Sequence, residues 1–244
     1  MNAAPHAVPA SDRWPRRVVA EILDHLAPDD PRALRSRRDL RLVNRIMGHA
    51  ALLARALDQA VAAPPLRLVE LGAGDGTLML RLAQRRARRW PNAAVTLLDM
   101  QPTVSPATLA ALRATGWTVD VVQADALEWL ARPASARDAV VLANLFIHHF
   151  EGERLARLLA GIAAHARAFV CCEPRRATLA LLGSRLLWAI GCNDVTRHDA
   201  VVSVHAGFRG RELTAAWPSA GRGWQIAETP AGAFSHLFVA RREP

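Results

Sequence analysis

The 244-residue chain contains no lysine and no tyrosine. All 31 of its basic residues are therefore arginine, and they give the chain a net charge of +9. A charge of this size can support nonspecific binding to nucleic acid. The absence of lysine together with abundant alanine matches GC-rich coding bias, however, so we do not expect nucleic acid as a partner on this ground. Aromatic residues make up only 5% of the chain, which leaves few of the stacking platforms that RNA-binding surfaces use.

The chain is also poor in cysteine and in long apolar runs. Cys171, Cys172 and Cys192 lack the spacing of zinc ligands, and the adjacent pair is poorly placed to form a disulfide. No stretch of about 18 uncharged apolar residues is present, and the N-terminal residues lack the apolar core of a signal peptide. These absences predict a cytoplasmic protein without a membrane span or a metal site. The oligomeric state stays open between monomer and homodimer.

The first apolar run spans residues 66–71, and a glycine-rich segment comes directly after it. The run holds Glu70 near its end, and Gly72, Gly74 and Gly76 come next at alternate positions, before a helical pattern starts at Thr77. This order predicts a strand, a tight loop and a helix. Glycines let the backbone approach a ligand closely, and the free N–H groups of the helix start point at it. The segment therefore predicts a nucleotide-binding turn, although a dinucleotide fingerprint would need glycine at position 77.

Further apolar runs alternate with helical patterns, which predicts a mainly parallel sheet. The second run ends at Asp99, 23 residues after Gly76, where an acidic residue of an α/β nucleotide-binding fold accepts hydrogen bonds from ribose hydroxyls. The fourth run ends at Asn144 and continues into His148 and His149. Ligands of open α/β sheets bind at the carboxyl ends of strands, so this edge is the candidate active site.

In its Glu-x-Gly-x-Gly-x-Gly motif and the residues after its strands, the chain resembles class I S-adenosylmethionine (SAM) dependent methyltransferases. The resemblance covers about residues 63–244. It implies a Rossmann-like α/β fold, with a seven-stranded sheet, helices on both faces and an N-terminal helical cap. It also implies SAM as cofactor and S-adenosylhomocysteine as product. The implied cofactor-binding residues are Glu70, Gly72, Gly74, Asp75, Gly76, Asp99, Met100, Asp125, Ala126 and Asn144.

The same resemblance assigns roles to some of these residues. Glu70 corresponds to the acidic residue that helps to hold the cofactor's ammonium group. Asp125 corresponds to the acidic residue that meets the adenine amino group, and the backbone N–H of Ala126 to the group that meets a ring nitrogen.

The methyl acceptor is predicted mainly from the residues after the fourth strand. The Asn/Asp-Pro-Pro-aromatic signature of amino-group methyltransferases is missing there, as is a Pro-Cys or Thr-Cys nucleophile. The pair His148 and His149 is similar to that of small-molecule O- and C-methyltransferases of quinone and polyketide metabolism. Histidine can take a proton from a phenol or a carbon acid near neutral pH, so His149 and His148 are the catalytic candidates, ahead of His198 and His205. A stacked or helix-capping pair is the alternative.

We therefore expect a SAM-dependent methyltransferase that acts on a small, hydrophobic or aromatic metabolite. The alternative function is an RNA- or protein-directed methyltransferase that uses arginines around residues 35–45 and 81–89 as an electrostatic footprint.

Residues 1–62 are predicted to form a tail and a helical cap, before the methyltransferase domain at 63–244. We expect a loose tail at 1–12, a short helix from Trp14 to about Leu26 and a longer helix that ends near residue 62. The cap either covers the substrate or fills the edge of the sheet. Residues 191–208 are predicted to be a polar loop that closes over the crevice as a lid.

Overall fold

A computed structural model describes residues 14–61, 63–64, 67–132, 136–218 and 222–243. The predicted loose tail at residues 1–12 lies outside these ranges, as does Leu66, the first residue of the first predicted strand.

Seven strands form one mixed sheet in the order β3-β2-β1-β4-β5-β7-β6. The first five strands run parallel, and β7 pairs antiparallel with both β5 and β6. This order confirms the predicted class I methyltransferase fold. The strands are β1 (Arg67–Leu71), β2 (Ala94–Asp99), β3 (Thr118–Gln123), β4 (Val140–Asn144), β5 (Ala168–Pro174), β6 (Trp224–Ala231) and β7 (Ser235–Arg242).

Helices cover both faces of this sheet, because the central strands are apolar on both sides and must be shielded from water on each. The α-helices are α1 (Ile22–His25), α2 (Pro31–Ile46), α3 (His49–Ala60), α4 (Thr77–Arg86), α5 (Pro106–Arg113), α6 (Ala126–Leu130), α7 (Gly152–His165), α8 (Thr178–Arg185), α9 (Asp194–Ala206) and α10 (Glu212–Ala216). Two short 3₁₀ helices span Ile147–His149 and Leu187–Ile190. One core cluster joins the sheet to α6, α7 and α10, and the other joins it to α3, α4 and α5.

The single long helix predicted before the first strand is two helices, α2 and α3. Gly48 separates them with a left-handed backbone (φ +70°), a conformation that glycine adopts without steric cost. Although the sequence analysis grouped α3 with the cap, its residues Leu53 and Leu57 are fully buried in the core beside the sheet. The chain before α3 lies over the strand ends, where residues from Glu21 to Asn44 line a cavity.

The helix predicted from Trp14 to Leu26 is wrong over most of its length, because only Ile22–His25 is helical. The preceding residues bond to distant parts of the chain instead of to one another. Arg17 N–H donates to the carbonyl of His205 (3.1 Å), and the Arg16 side chain donates to the carbonyl of Ala206 (2.6 Å). The first of these bonds satisfies a backbone N–H that a helix would have paired locally, and the second fixes the Arg16 side chain to the end of α9.

The loop predicted at residues 191–208 is also wrong, because most of it forms α9. The side chain of Asn193 caps this helix by accepting from the N–H of Thr196 (2.9 Å), a strong start signal that the sequence analysis missed. Val195 and Val204 are buried against neighbouring elements. The prediction of a loop lid therefore loses its basis, since this segment is a packed helix.

The apolar segment 177–190 forms α8 and the 3₁₀ helix Leu187–Ile190. Within the described ranges no helix is both long and apolar enough to span a membrane.

Candidate active site

The glycine-rich loop joins β1 to α4, as predicted, and its geometry requires glycine. Gly72 has a positive φ (+68°), and a Cβ built there would lie 2.3 Å from Cδ2 of Phe146. Gly76 begins α4 with φ +71°, and its α-carbon faces Leu97 and Val104. The glycine loop therefore contacts the residues that come after β4. This contact places the predicted cofactor-binding residues of the loop beside the residues that lead to His148 and His149.

A cavity of about 750 Å³ opens at the carboxyl ends of β1, β2 and β4. Its size lies in the upper part of the range for ligand pockets, about 300–1,000 Å³. Both candidate histidines line it, together with nine of the ten predicted cofactor residues: Glu70, Gly72, Gly74, Asp75, Asp99, Met100, Asp125, Ala126 and Asn144. Gly76 does not line the cavity. It caps the start of α4 and packs on Leu97 of β2.

Asp99 and Asp125 both organise backbone around the cavity. The carboxylate of Asp99 accepts from the N–H of Gly74 (2.8 Å) and from the N–H of Gln101 (2.8 Å). It therefore fixes the glycine loop against the end of β2. Asp125 caps α6, where its Oδ1 accepts from the N–H of Leu127 (2.7 Å). The predicted acidic residues stand at the cavity wall and at the same time hold the loops that form it.

Glu70 is the most unusual carboxylate of the site. It is 2% exposed, and its Oε2 finds no hydrogen-bond partner among the described residues. Burial, followed by the nearby charges of Asp75 and Asp99, raises the pKa of this carboxyl well above its usual value. A buried carboxylate with an unsatisfied oxygen facing a cavity is stabilised by a cation, so this position fits the ammonium group of SAM.

The N-terminal segment, residues 21–44, lies over this cavity, and arginines of α2 bond it to the glycine loop and to the residues after β2. Arg41 pairs with Asp75 of the glycine loop (2.5 Å), and Arg37 donates to Oε1 of Gln101 (2.7 Å). Arg41 falls in the stretch 35–45 that the alternative function would use as an electrostatic footprint. No local pattern distinguishes an arginine that reaches the glycine loop from one that meets solvent.

His148 is buried between two carboxylates. Its Nδ1 lies 2.8 Å from Oε2 of Glu173 and its Nε2 lies 3.3 Å from Oε1 of Glu21. Glu173 also accepts from the backbone N–H groups of Phe146, Ile147 and His148 (3.0–3.3 Å). Burial alone would lower the pKa of His148, but the hydrogen bonds and charges of the two carboxylates outweigh it and raise the pKa to about 9.

The protonated imidazolium is therefore favoured at neutral pH, and in that form both ring N–H groups of His148 donate to carboxylates. Glu21, His148 and His149 also bring metal-ligand atoms within 4.8 Å of one another, and a metal ion bound by His148 would displace the proton from one of its ring nitrogens. The contacts of His148 fasten Glu21, from the N-terminal segment, to the end of β4.

The sequence analysis missed both carboxylate partners of His148. Glu173 lies near the carboxyl end of β5, so the strand-end rule that selected Asp99 could have found it. Glu21 precedes a four-residue helix and carries no comparable signal.

Of the two candidate histidines at the cavity, His149 is the more accessible. Its side chain is 25% exposed, and its Nδ1 lies 3.4 Å from Oδ2 of Asp24. Its ring packs on that of His148, with 4.3 Å between the ring centroids. The other two candidates, His198 and His205, lie on α9 outside the cavity lining, where they bond to Asp199 and Trp14.

Comparisons with known proteins agree with this architecture. Residues 68–168 match the family model described as "Methyltransferase domain". The comparison with curated proteins gave no match.

Three solved structures share the fold at low sequence identity. The plantazolicin methyltransferase BpumL, in complex with a monoazolic desmethylPZN analog and SAH, has a TM-score of 0.61 and 13% identity, over 88% of this chain and 91% of that one. The pyocyanin biosynthetic protein PhzM has a TM-score of 0.58 and 19% identity, over 92% of this chain and 62% of that one. The methyltransferase domain of bacterial CtHen1-C has a TM-score of 0.56 and 12% identity, over 81% of this chain and 98% of that one.

The matched family model covers β1 to the start of β5, which includes the glycine loop and the candidate histidines. Residues 68–168 therefore carry a SAM-dependent methyltransferase domain, and the strand order and the shared fold are those of class I.

Proposed function

We propose that this enzyme methylates an oxygen or a carbon of a small, hydrophobic or aromatic metabolite, and that His149 is the general base. The observation that carries the proposal is the position of His149, which lines a cavity covered by the N-terminal segment and has Asp24 beside its Nδ1. A carboxylate next to one ring nitrogen orients the imidazole and stabilises the imidazolium that forms when the other nitrogen accepts a proton.

The two histidines then have different tasks. His148 already carries its proton between Glu21 and Glu173, so it positions the backbone around His149 and does not accept a proton from the acceptor. His149 stacks on that fixed ring, which limits its motion at the cavity wall. A base in one place near the reacting atom contributes about 10²- to 10⁴-fold to the rate.

SAM supplies an electrophilic methyl group when it is bound. We assign its ammonium group to Glu70, its ribose to Asp99 and its adenine to Asp125 and Ala126, with the glycine loop beside it. The unsatisfied oxygen of Glu70 supports the first assignment. The N-terminal segment, tied down through Arg41 and Glu21, limits the access of water to this cavity.

Several arginines of the arginine-rich surface form ion pairs with carboxylates of the same chain. These pairs favour a small acceptor over a nucleic acid. Arg86 and Arg89 both pair with Asp58 (2.6 and 3.4 Å), and Arg41 pairs with Asp75. Arginines bound to carboxylates of the same chain contribute less net charge to a surface that must meet phosphates.

The test is to assay the protein with SAM against phenols, carbon acids and RNA oligonucleotides, and to identify products by mass spectrometry. With a methylated small molecule in hand, His149→Gln should lower kcat by about two to four decades. SAM affinity, measured by calorimetry, should stay nearly unchanged. His165→Gln, at the end of α7, is the matched control and should retain activity. Methylation of RNA alone would overturn the proposed acceptor class, and an active His149→Gln variant would overturn the proposed base.

A further inference from the structure

A second cavity, of about 330 Å³, lies between α2, α8, the 3₁₀ helix Leu187–Ile190 and α9. None of the predicted cofactor residues lines this cavity. Most of its lining is aliphatic, and the aliphatic residues include Val43 and Ile46 of α2, Ala180 of α8, Leu186 directly after α8, Leu187 of the 3₁₀ helix and Val204 of α9.

The two cavities are adjacent. Five residues line both of them: Glu21, Leu23, Leu40, Leu145 and Ser203. At this junction Glu21 accepts hydrogen bonds from Ser203 and from His148. A ligand that occupies both cavities therefore passes a polar junction and reaches an aliphatic end.

Apolar side chains at the outer edge of the second cavity are exposed to water. Leu186 is 49% exposed and Ile46 is 64% exposed, and both line the cavity. Water contact of aliphatic surface is unfavourable, and covering it with an apolar ligand contributes to binding. An apolar chain fits this lining, whereas a sugar or a phosphate would find few polar partners on it.

From this adjacency and the apolar lining we infer that the second cavity binds an apolar chain of the methyl acceptor, while the reacting head lies near His149 in the first cavity. This inference rests on the proposed function for the position of the head. It names the acceptor class more closely as an ionisable ring or carbon acid that carries an alkyl or similar apolar tail.

The expected signature is a dependence of affinity on chain length. Each methylene group that enters the cavity should lower the Kd about fourfold, which corresponds to about 0.8 kcal/mol. The gain should stop when the cavity is full.

The experiment measures binding of 4-alkylphenols, from ethyl to octyl, by calorimetry in the presence of S-adenosylhomocysteine, so that no turnover is needed. Leu186→Asp places a charge in the lining and should abolish the dependence on chain length. Leu182→Asp is the matched control, because Leu182, one turn before Leu186 and near the end of α8, is similarly exposed (53%) but stands outside the lining. It should keep the dependence.

A second variant guards against an effect of the introduced charge. Ala200→Leu narrows the cavity from α9 and should make the gain stop at a shorter chain, while Val201→Leu, next to it and outside the lining, should not.

A Kd that does not depend on chain length, or a dependence that survives in Leu186→Asp, overturns the inference. Equal losses in Leu186→Asp and Leu182→Asp also overturn it, because the whole face of α8 would then act as a surface for a membrane or a protein. The proposed function fails separately. If 1-alkanols and alkylphenols bind with the expected dependence but no phenol is methylated, the second cavity stands and the phenolic head does not.

Discussion

Replacing Glu70 with glutamine should weaken SAM binding and, at the same time, stabilise the free protein. The two effects have one cause, which is the buried carboxylate with an unsatisfied Oε2. On the proposed assignment the charge of Glu70 meets an ammonium group in the complex, whereas in the free protein its Oε2 is buried without a hydrogen-bond partner among the described residues.

The size of the binding effect is set by the charged hydrogen bond between Glu70 and the ammonium group, which glutamine weakens. A hydrogen bond to a charged group contributes about 1.5–3 kcal/mol. Glu70→Gln should therefore raise the Kd of SAM by about 10- to 150-fold. Glu153→Gln, on the exposed side of α7, is the matched control and should bind SAM as the wild type does.

The stability effect has a defined pH dependence. The pKa of Glu70 is raised in the folded protein above its ordinary value of 4.5, so the folded state binds this proton more tightly than the unfolded state. Stability should consequently fall as the pH rises from about 4.5 through the raised pKa, and glutamine should remove this slope. Below pH 4.5 the two proteins should be equally stable. Each unit of raised pKa corresponds to about 1.4 kcal/mol, and each kcal/mol to about 2–4 °C in Tm for a chain of this size.

Calorimetric titration with SAM and thermal unfolding of the free protein at several pH values measure both effects. An unchanged Kd in Glu70→Gln would refute the assignment of the ammonium group to this residue. A lower Tm of the variant at neutral pH would refute the view that Glu70 is a destabilising charge in the free protein.

Three further predictions concern other residues around the cavity. Asp99→Ala should weaken SAM binding by about 1.5–3 kcal/mol in calorimetry, and undiminished affinity in the folded variant would contradict the ribose assignment. Gly72→Ala should destabilise the protein by at least about 1–2 kcal/mol in denaturant unfolding, because alanine at φ +68° is strained and its Cβ meets Phe146; wild-type stability would mean that the ring moves aside at little cost. His148 should contribute stability that is fully present below about pH 6.5 and lost as the pH rises through about 9, since its folded pKa is the raised one. His148→Asn should flatten the unfolding free energy over that window, and an unchanged pH profile would contradict the contact with two carboxylates.

The local patterns of the sequence determined the frame of the cofactor site. The order strand, glycine loop and helix around Gly72–Thr77 depends on neighbours in the chain, so it was predicted correctly. Asp99, Asp125 and Asn144 were placed at the cavity because parallel strands end at one edge of the sheet, whatever the details of packing. The alternation of strands and helices likewise predicted a mainly parallel sheet, and the resemblance to class I methyltransferases implied its seven strands.

The tertiary structure alone decided how the acceptor side of the site is built. Glu21 meets His148 across 127 positions of the chain, and Arg41 meets Asp75 across 34; neither pairing leaves a periodic signal in the sequence. For the same reason the sequence offered only a slight preference between two adjacent histidines, whereas burial between two carboxylates separates His148 from His149. The second cavity arises where α2, α8 and α9 meet. Its shape depends on packing between elements far apart in the chain, and hydrophobic periodicity shows which face of a helix is apolar but not what that face will meet.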